Sequence, residues 1–260
     1  MIGFLIRKTF YDLWDNMLKI VILNLGFFLT VLIPVFLPRL FSRFAHSIAL
    51  EMALSGIGIF VCSIYLAAAA ATIKSVSDYG SIDLSSFLKS FKTSWPAGLL
   101  MGFFVFLFLL VITIVLPFYL SIDSFVGLGL AAFIFWTMFF ALVSFQFFFT
   151  VYARLGPNII KSVKKCLLVF FDNSGFSVFM LFHNFFVLII SVFLAFLFPG
   201  PVGVLLYLDE ALRLRLLKYD WLEANPGENR RKIPWDALLI EEREKTGSRS
   251  FRNFIFPWKD

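Results

Sequence analysis

Five stretches of this chain, 20–40, 52–73, 97–120, 125–152 and 175–198, each run for more than twenty residues without an acidic side chain. Apart from Arg39 near the end of the first, they also lack a basic one. A bilayer core about 30 Å thick is spanned by roughly 20 apolar residues in a helix, the form that satisfies every backbone polar group away from water. Composition agrees, with 60% of the 260 residues hydrophobic, 15% charged, 37 phenylalanines and a mean hydropathy of +0.88. These values lie far outside the usage of soluble domains. The expected fold class is all-α, a polytopic membrane helix bundle.

Whether the chain crosses a sixth time depends on "FPGPVGVLLYLDEALRLRLLKYDW", residues 198–221. An Asp or Arg at mid-helix costs about 2.5–3.5 kcal/mol on insertion and each Leu returns only about 0.5, so this segment does not insert alone. Asp209 and Arg213 are four residues apart and Glu210 is three from Arg213, so the charges can compensate one another near the bilayer centre. The alternative is an amphipathic helix on the surface. Pro199 and Pro201 with Gly200 and Gly203 make a tight turn, so the fifth span and a sixth at 202–221 form an antiparallel hairpin.

Lysine and arginine placement favours the crossing. Arg7, Lys8 and Lys19 precede or open the first span, Lys74, Lys89 and Lys92 fill the second connection, the third has none, and Arg154, Lys161, Lys164 and Lys165 fill the fourth. Positive charge stays on the cytoplasmic side, which puts the N-terminus inside. A sixth crossing returns the basic tail there too and leaves only Arg39 and Arg43 outside. The expected organisation is an interfacial amphipathic helix over 1–19, a bundle over 20–221 and a cytoplasmic tail over 222–260.

The opening "MIGFLIRKTFYDLWDN" lacks the apolar core and cleavage site of a signal peptide. Its Phe10, Leu13, Trp14, Met17 and Leu18 share a helical face, which suits the interface, or a plain extension of the first span. "SIDLSSFLKSFKTSW" (81–95) and "NIIKSVKKCLLVFF" (158–171) read as basic amphipathic helices, in contact with anionic headgroups or docking a partner protein. Alanines 67–71 permit close helix approach and place the second span centrally, whereas the Phe-rich third and fourth spans face lipid. In the tail, "PWDALLIEEREK" reads as a short helix, and "SFRNFIFPWK" as a return to the membrane surface or into a groove on the bundle. Eight basic and seven acidic residues in 222–260 make that tail nearly neutral, so it is no nucleic-acid arm.

Candidate site residues are the polar groups inside the spans. Asn24, Gln146, His183 and Asn184, with Asp209, Glu210 and Arg213, form a candidate intramembrane network, either as packing bridges or as a polar path. Cys62 and Cys166 read as unpaired thiols. Two histidines, His46 and His183, do not argue for a metal, and no HExxH, CxxC, GxSxG or Walker pattern occurs. No cofactor, metal or catalytic constellation is expected, and the chain is read as a non-enzyme.

"DNMLKIVILNLGFFLTVLIP", then "FLKSFKTSWPAGLLMGF" and "VYARLGPNIIKSVKKCLLVF", resemble the YesL-like family of bacterial multi-pass proteins over about Asp12 to Lys218. The "RLFSRFAHSIALE" insertion and the tail beyond Trp221 depart from it. The resemblance implies a six-helix protein of the bacterial cytoplasmic membrane, often found with carbohydrate uptake systems, and carries over no ligand residue. The expected function is an accessory or regulatory membrane component whose partners are the bilayer and transporter subunits. A stand-alone small-solute transporter or channel is the alternative.

Overall fold

A computed structural model describes residues 1–42, 47–230 and 232–247, and every regular element among them is a helix. Five helical stretches are long and apolar enough to cross a membrane: Met17–Phe41, Ala49–Ser77, Leu84–Leu120, Phe125–Leu155 and Ser174–Phe193. The chain is a polytopic helical membrane bundle.

α1 (Ile2–Asp15) stops at Asn16, so it is a separate helix and not an extension of α2 (Met17–Ser42). α3 (Ile48–Ser77) is the hub and packs along α4 (Leu84–Leu110), α2 and α10 (Gly200–Ala224). The small residues explain why. Ala68, Ala69 and Ala70 are fully buried. Where α3 and α4 meet, a Cβ on Gly98 would strike the backbone of Ile64, so this contact requires glycine. The Asp83 carboxylate caps α4 by accepting from the Ser85 and Ser86 N–H groups, and the helix carries the basic segment 84–95 through Pro96 into the apolar run without a break. A π-turn at Val111–Val115 leads into α5 (Leu116–Leu120).

α6 (Phe125–Phe145) is interrupted at Gln146 and Phe147 before α7 (Phe148–Leu155), which ends at Gly156 with φ +100°. Phe103 on α4 and Phe133, Phe135 and Trp136 on α6 are exposed, as expected of spans that face lipid. The Asn158 side chain caps α8 (Ile159–Asp172), and α9 (Ser174–Phe193) follows.

α9 and α10 are antiparallel: Phe176 lies under Arg215, His183 against Tyr207, and the Ser191 hydroxyl accepts from the Gly200 N–H. Their turn, with a cis Phe198–Pro199 bond, lies beside Asn24. At about 1.5 Å per residue Asn24 is roughly 10 Å from the start of α2 and about 27 Å short of its end. α10 then passes Ser77 and Arg154, where α3 and α7 end. The helix expected over 202–221 forms as α10, with charged side chains that set it apart from the five long apolar stretches. The contacts that hold α10, at Asn24, Lys8, Ser77 and Arg154, belong to the half of the bundle in which α3 ends. The tail helix expected after Pro234 forms as two pieces, α11 (Trp235–Leu238) and α12 (Ile240–Thr246). α12 docks at the same end as α1, through Glu242 on Tyr79 and Arg213. The insertion residues Arg43 and His46 and the segment 250–259 lie outside the described residues.

Candidate functional site

Where α3 ends, five elements bring their charges together. The Ser77 carbonyl accepts from Lys8 of α1 (Nζ to O 3.1 Å) and from Arg213 of α10. Lys8, 1% exposed, also pairs with Asp12 one turn on (2.7 Å) and with Glu210 of α10. Arg154, at the end of α7, grips Asp209 with two nitrogens, Nε to Oδ1 at 2.8 Å and Nη2 to Oδ2, and reaches Asp78 at 3.0 Å. Such a two-point grip matches the planar guanidinium to the carboxylate. Glu242 of α12 takes Arg213 at 2.8 Å and the Tyr79 hydroxyl at 2.6 Å.

Tyr79 joins the pieces. It sits at φ +63°, just past the end of α3, which turns its ring across Lys8 (4.4 Å) and Arg213 (4.9 Å). Burial, and then its hydrogen bond to the Glu242 carboxylate, push its hydroxyl well above the usual phenol range. A second cluster joins α8, α9 and α10: Lys218 holds Asp172 at 2.7 Å and Asn173 at 2.9 Å, and Asn173 donates to the Tyr219 hydroxyl. Burial opposes ionisation of Asp172, but the hydrogen bond and charge of Lys218 outweigh it and hold the carboxyl below its ordinary range.

The seven candidate residues do not form one network. Asn24 is buried against the α9–α10 turn, donating to the Leu197 and Pro199 carbonyls (2.9 and 2.8 Å) and accepting from the Val202 N–H (2.9 Å). Gln146, at the α6–α7 break, donates to the Val143 and Ser177 carbonyls, both at 2.8 Å. Its Oε1 and the Ser177 hydroxyl are buried without hydrogen-bond partners among the described residues. His183 lies between the Phe179 and Tyr207 rings, with Nδ1 3.5 Å from the Asn184 amide oxygen. Only Asp209, Glu210 and Arg213 share the cluster, and the expected compensation between them is incorrect. Asp209 pairs with Arg154, Glu210 with Lys8, and Arg213 with Glu242. They sit where α3 and α7 end, each held by a partner from another element.

Lys8, Asp78, Tyr79, Arg154 and Glu242 escaped the sequence reading. Two acids on an apolar helix demand cations from elsewhere, and Lys8 and Arg154, basic residues outside the spans expected from the sequence, supply them. Chemically the cluster is a lock. Each of its cations, Lys8, Arg154 and Arg213, holds two carboxylates, and together these contacts tie five elements to one another. Cys166, a free thiol on α8, is pushed up to about 12 by burial, which leaves it a poor nucleophile. Among the described residues no three His, Cys, Asp or Glu side chains gather as metal ligands. Compared with known proteins, the chain matches no family model, no curated protein and no solved structure.

Proposed function

We propose that this protein is a non-enzymatic accessory component of the bacterial cytoplasmic membrane, associated with a solute-uptake system, with carbohydrate the substrate class that the YesL-like resemblance implies. One observation carries the reading: the polar side chains that could line a path are used to hold helices together. Asn24 seals the α9–α10 turn, and Asp209, Glu210 and Arg213 are each bound to another element. Irregular backbone at membrane depth is tolerated where protein buries it or where it lines a wet cavity, and the turn beside Asn24 is of the first kind.

The second reading, a stand-alone small-solute transporter, draws on the α6–α7 break, where Gln146 Oε1 and the Ser177 hydroxyl are buried without hydrogen-bond partners among the described residues. Broken helices with free polar groups are how transporters bind solutes. Affinity purification from the native membrane separates the two. Co-purifying transporter subunits are the expected result. A protein that purifies alone and moves solute in proteoliposomes, with Gln146→Leu abolishing that movement, establishes the second reading instead.

A further inference from the structure

Two sets stand out among the cations at the end of the bundle where α3 stops. Lys8, Arg154, Arg213 and Lys218 are shielded and each holds a carboxylate. Lys161, Lys164 and Lys165 on α8, with Lys89 and Lys92 at the start of α4, have no acidic partner among the described residues. All but the half-buried Lys165 are exposed. Surface lysines are usually solvated and mean nothing alone, so their neighbours decide.

α8 buries Ser162, Cys166, Val169 and Phe170 against the bundle, and its outward face changes along the axis. Lys161, Lys164 and Lys165 lie in the N-terminal half, beside Ile160, which is also exposed. Leu168 and Phe171, 67% and 74% exposed, dominate the C-terminal half. Phe170 touches Phe140, next to Trp136 on the lipid-facing side of α6, so the apolar half of α8 continues that surface. Lys161 is about 10 Å back along the helix from Leu168. That spacing sets the ammonium groups at headgroup depth when the leucine is among acyl chains, with the flexible stems covering the step between. α4 repeats the arrangement, with Leu88 and Trp95 exposed around Lys89 and Lys92.

We infer that the outward lysine face of α8, with the start of α4, is a binding site for the phosphate headgroups of anionic phospholipid. A protein partner could meet the lysines, but its acidic surface would not explain why their exposed apolar neighbours merge with the lipid belt. The inference stands apart from the accessory role, since it concerns the lipid alone.

The test is the full chain in phosphatidylcholine vesicles carrying trace spin-labelled phosphatidylglycerol or phosphatidylcholine, reading the motionally restricted fraction of each. The expected preference for phosphatidylglycerol is about fivefold or more, the factor that one lysine near an anionic surface supplies. Changing Lys161, Lys164 and Lys165 together to Gln removes most of it, and changing them to Arg keeps it. These side chains make no ion pair among the described residues, and an unchanged melting temperature confirms that the variants fold. The pair Lys89→Gln and Lys92→Gln, measured separately, reports the share of α4. Equal association of both lipids with the unaltered protein overturns the proposal, as does a preference that survives in the Gln variants. If those variants keep the preference and lose a co-purifying protein, the face is a protein-docking surface and the lipid site is refuted.

Discussion

At the residue scale, the Asp209–Arg154 pair shows how position in the network outweighs proximity in sequence. Asp209 is fully buried, and removing its partner leaves a charge with neither water nor counter-ion, at a cost of about 3–5 kcal/mol. Arg154→Ala and Asp209→Ala should each lower the melting temperature sharply in detergent, and Arg154→Met with Asp209→Leu should recover much of the loss. Asp209→Leu with Arg213→Leu should recover none, because it strips partners from Arg154 and Glu242 at once. Recovery by that second pair would show that the two residues compensate each other after all. Asn24→Leu removes the partners of two carbonyls and one N–H, worth about 1–3 kcal/mol apiece, and should loosen the α9–α10 turn. Tyr79 adds a dependence on pH. Its folded pKa lies above the value near 10 of a free phenol, so its contribution is complete below about pH 10 and fades as pH rises beyond it. Tail docking, followed by a dye on α12, should be flat across neutral pH and weaken in alkali, and Tyr79→Phe should abolish the alkaline step.

Between elements, what was legible in the sequence follows what is local. The apolar runs, the alanines of α3 and the separate α1 are composition and periodicity, and they reappear as helices with the alanines buried and Phe103 and Phe133 exposed as expected, whereas the face expected of the first helix divides, Leu13 buried and Trp14 and Leu18 exposed. Ala68→Leu or Ala70→Leu should destabilise the bundle by overpacking, by about 1–3 kcal/mol, while Phe103→Leu on the exposed face should be nearly silent. Comparable losses in all three would mean that the burial pattern is misplaced. The α9–α10 hairpin was legible only as a turn. Its depth depends on Asn24, more than 170 residues away in sequence, and no spacing rule within 198–221 encodes that partner. The partners of Asp209 and Arg213 were hidden for the same reason. The hairpin's depth can be measured. In a background without Cys62 and Cys166, cysteines placed at Ser174 and Glu223, at the open ends of its two limbs, should react with an impermeant reagent from the side that labels Gly3. Labelling of Ser174 from that side and of a cysteine at Ala195 from the opposite one would show a full crossing by α9.

For the whole molecule, sidedness read from basic residues and sidedness read from contacts meet at the tail. Lysine and arginine placement leads one to expect both termini in the cytoplasm, and the structure brings α1 and α12 to one end of the bundle through the shared contacts of Lys8 and Glu242 with Tyr79. Contact alone does not say which side of the membrane that end faces, and charge alone does not say that the tail is held. Trypsin on sealed vesicles tests both. Arg230 and Lys232 lie between α10 and the docked segment, whereas Arg243 and Lys245 lie within α12, whose Glu242 is buried against Tyr79 and Arg213. Inside-out vesicles should be cut first at 230–232 and only slowly at 243 and 245, because a protease needs a locally unfolded strand. Right-side-out vesicles should resist at all four positions. Combining Tyr79→Phe with Glu242→Gln removes the Tyr79 hydroxyl and the carboxylate charge that Arg213 holds, and should bring cleavage at 243 and 245 up to the rate at 230–232. It should leave the intact bundle's melting temperature within a few degrees, since the Lys8, Asp209 and Arg154 contacts do not involve α12. Cutting from the outer face would invert the orientation, and unchanged rates in the double variant would show that Glu242 does not hold the tail.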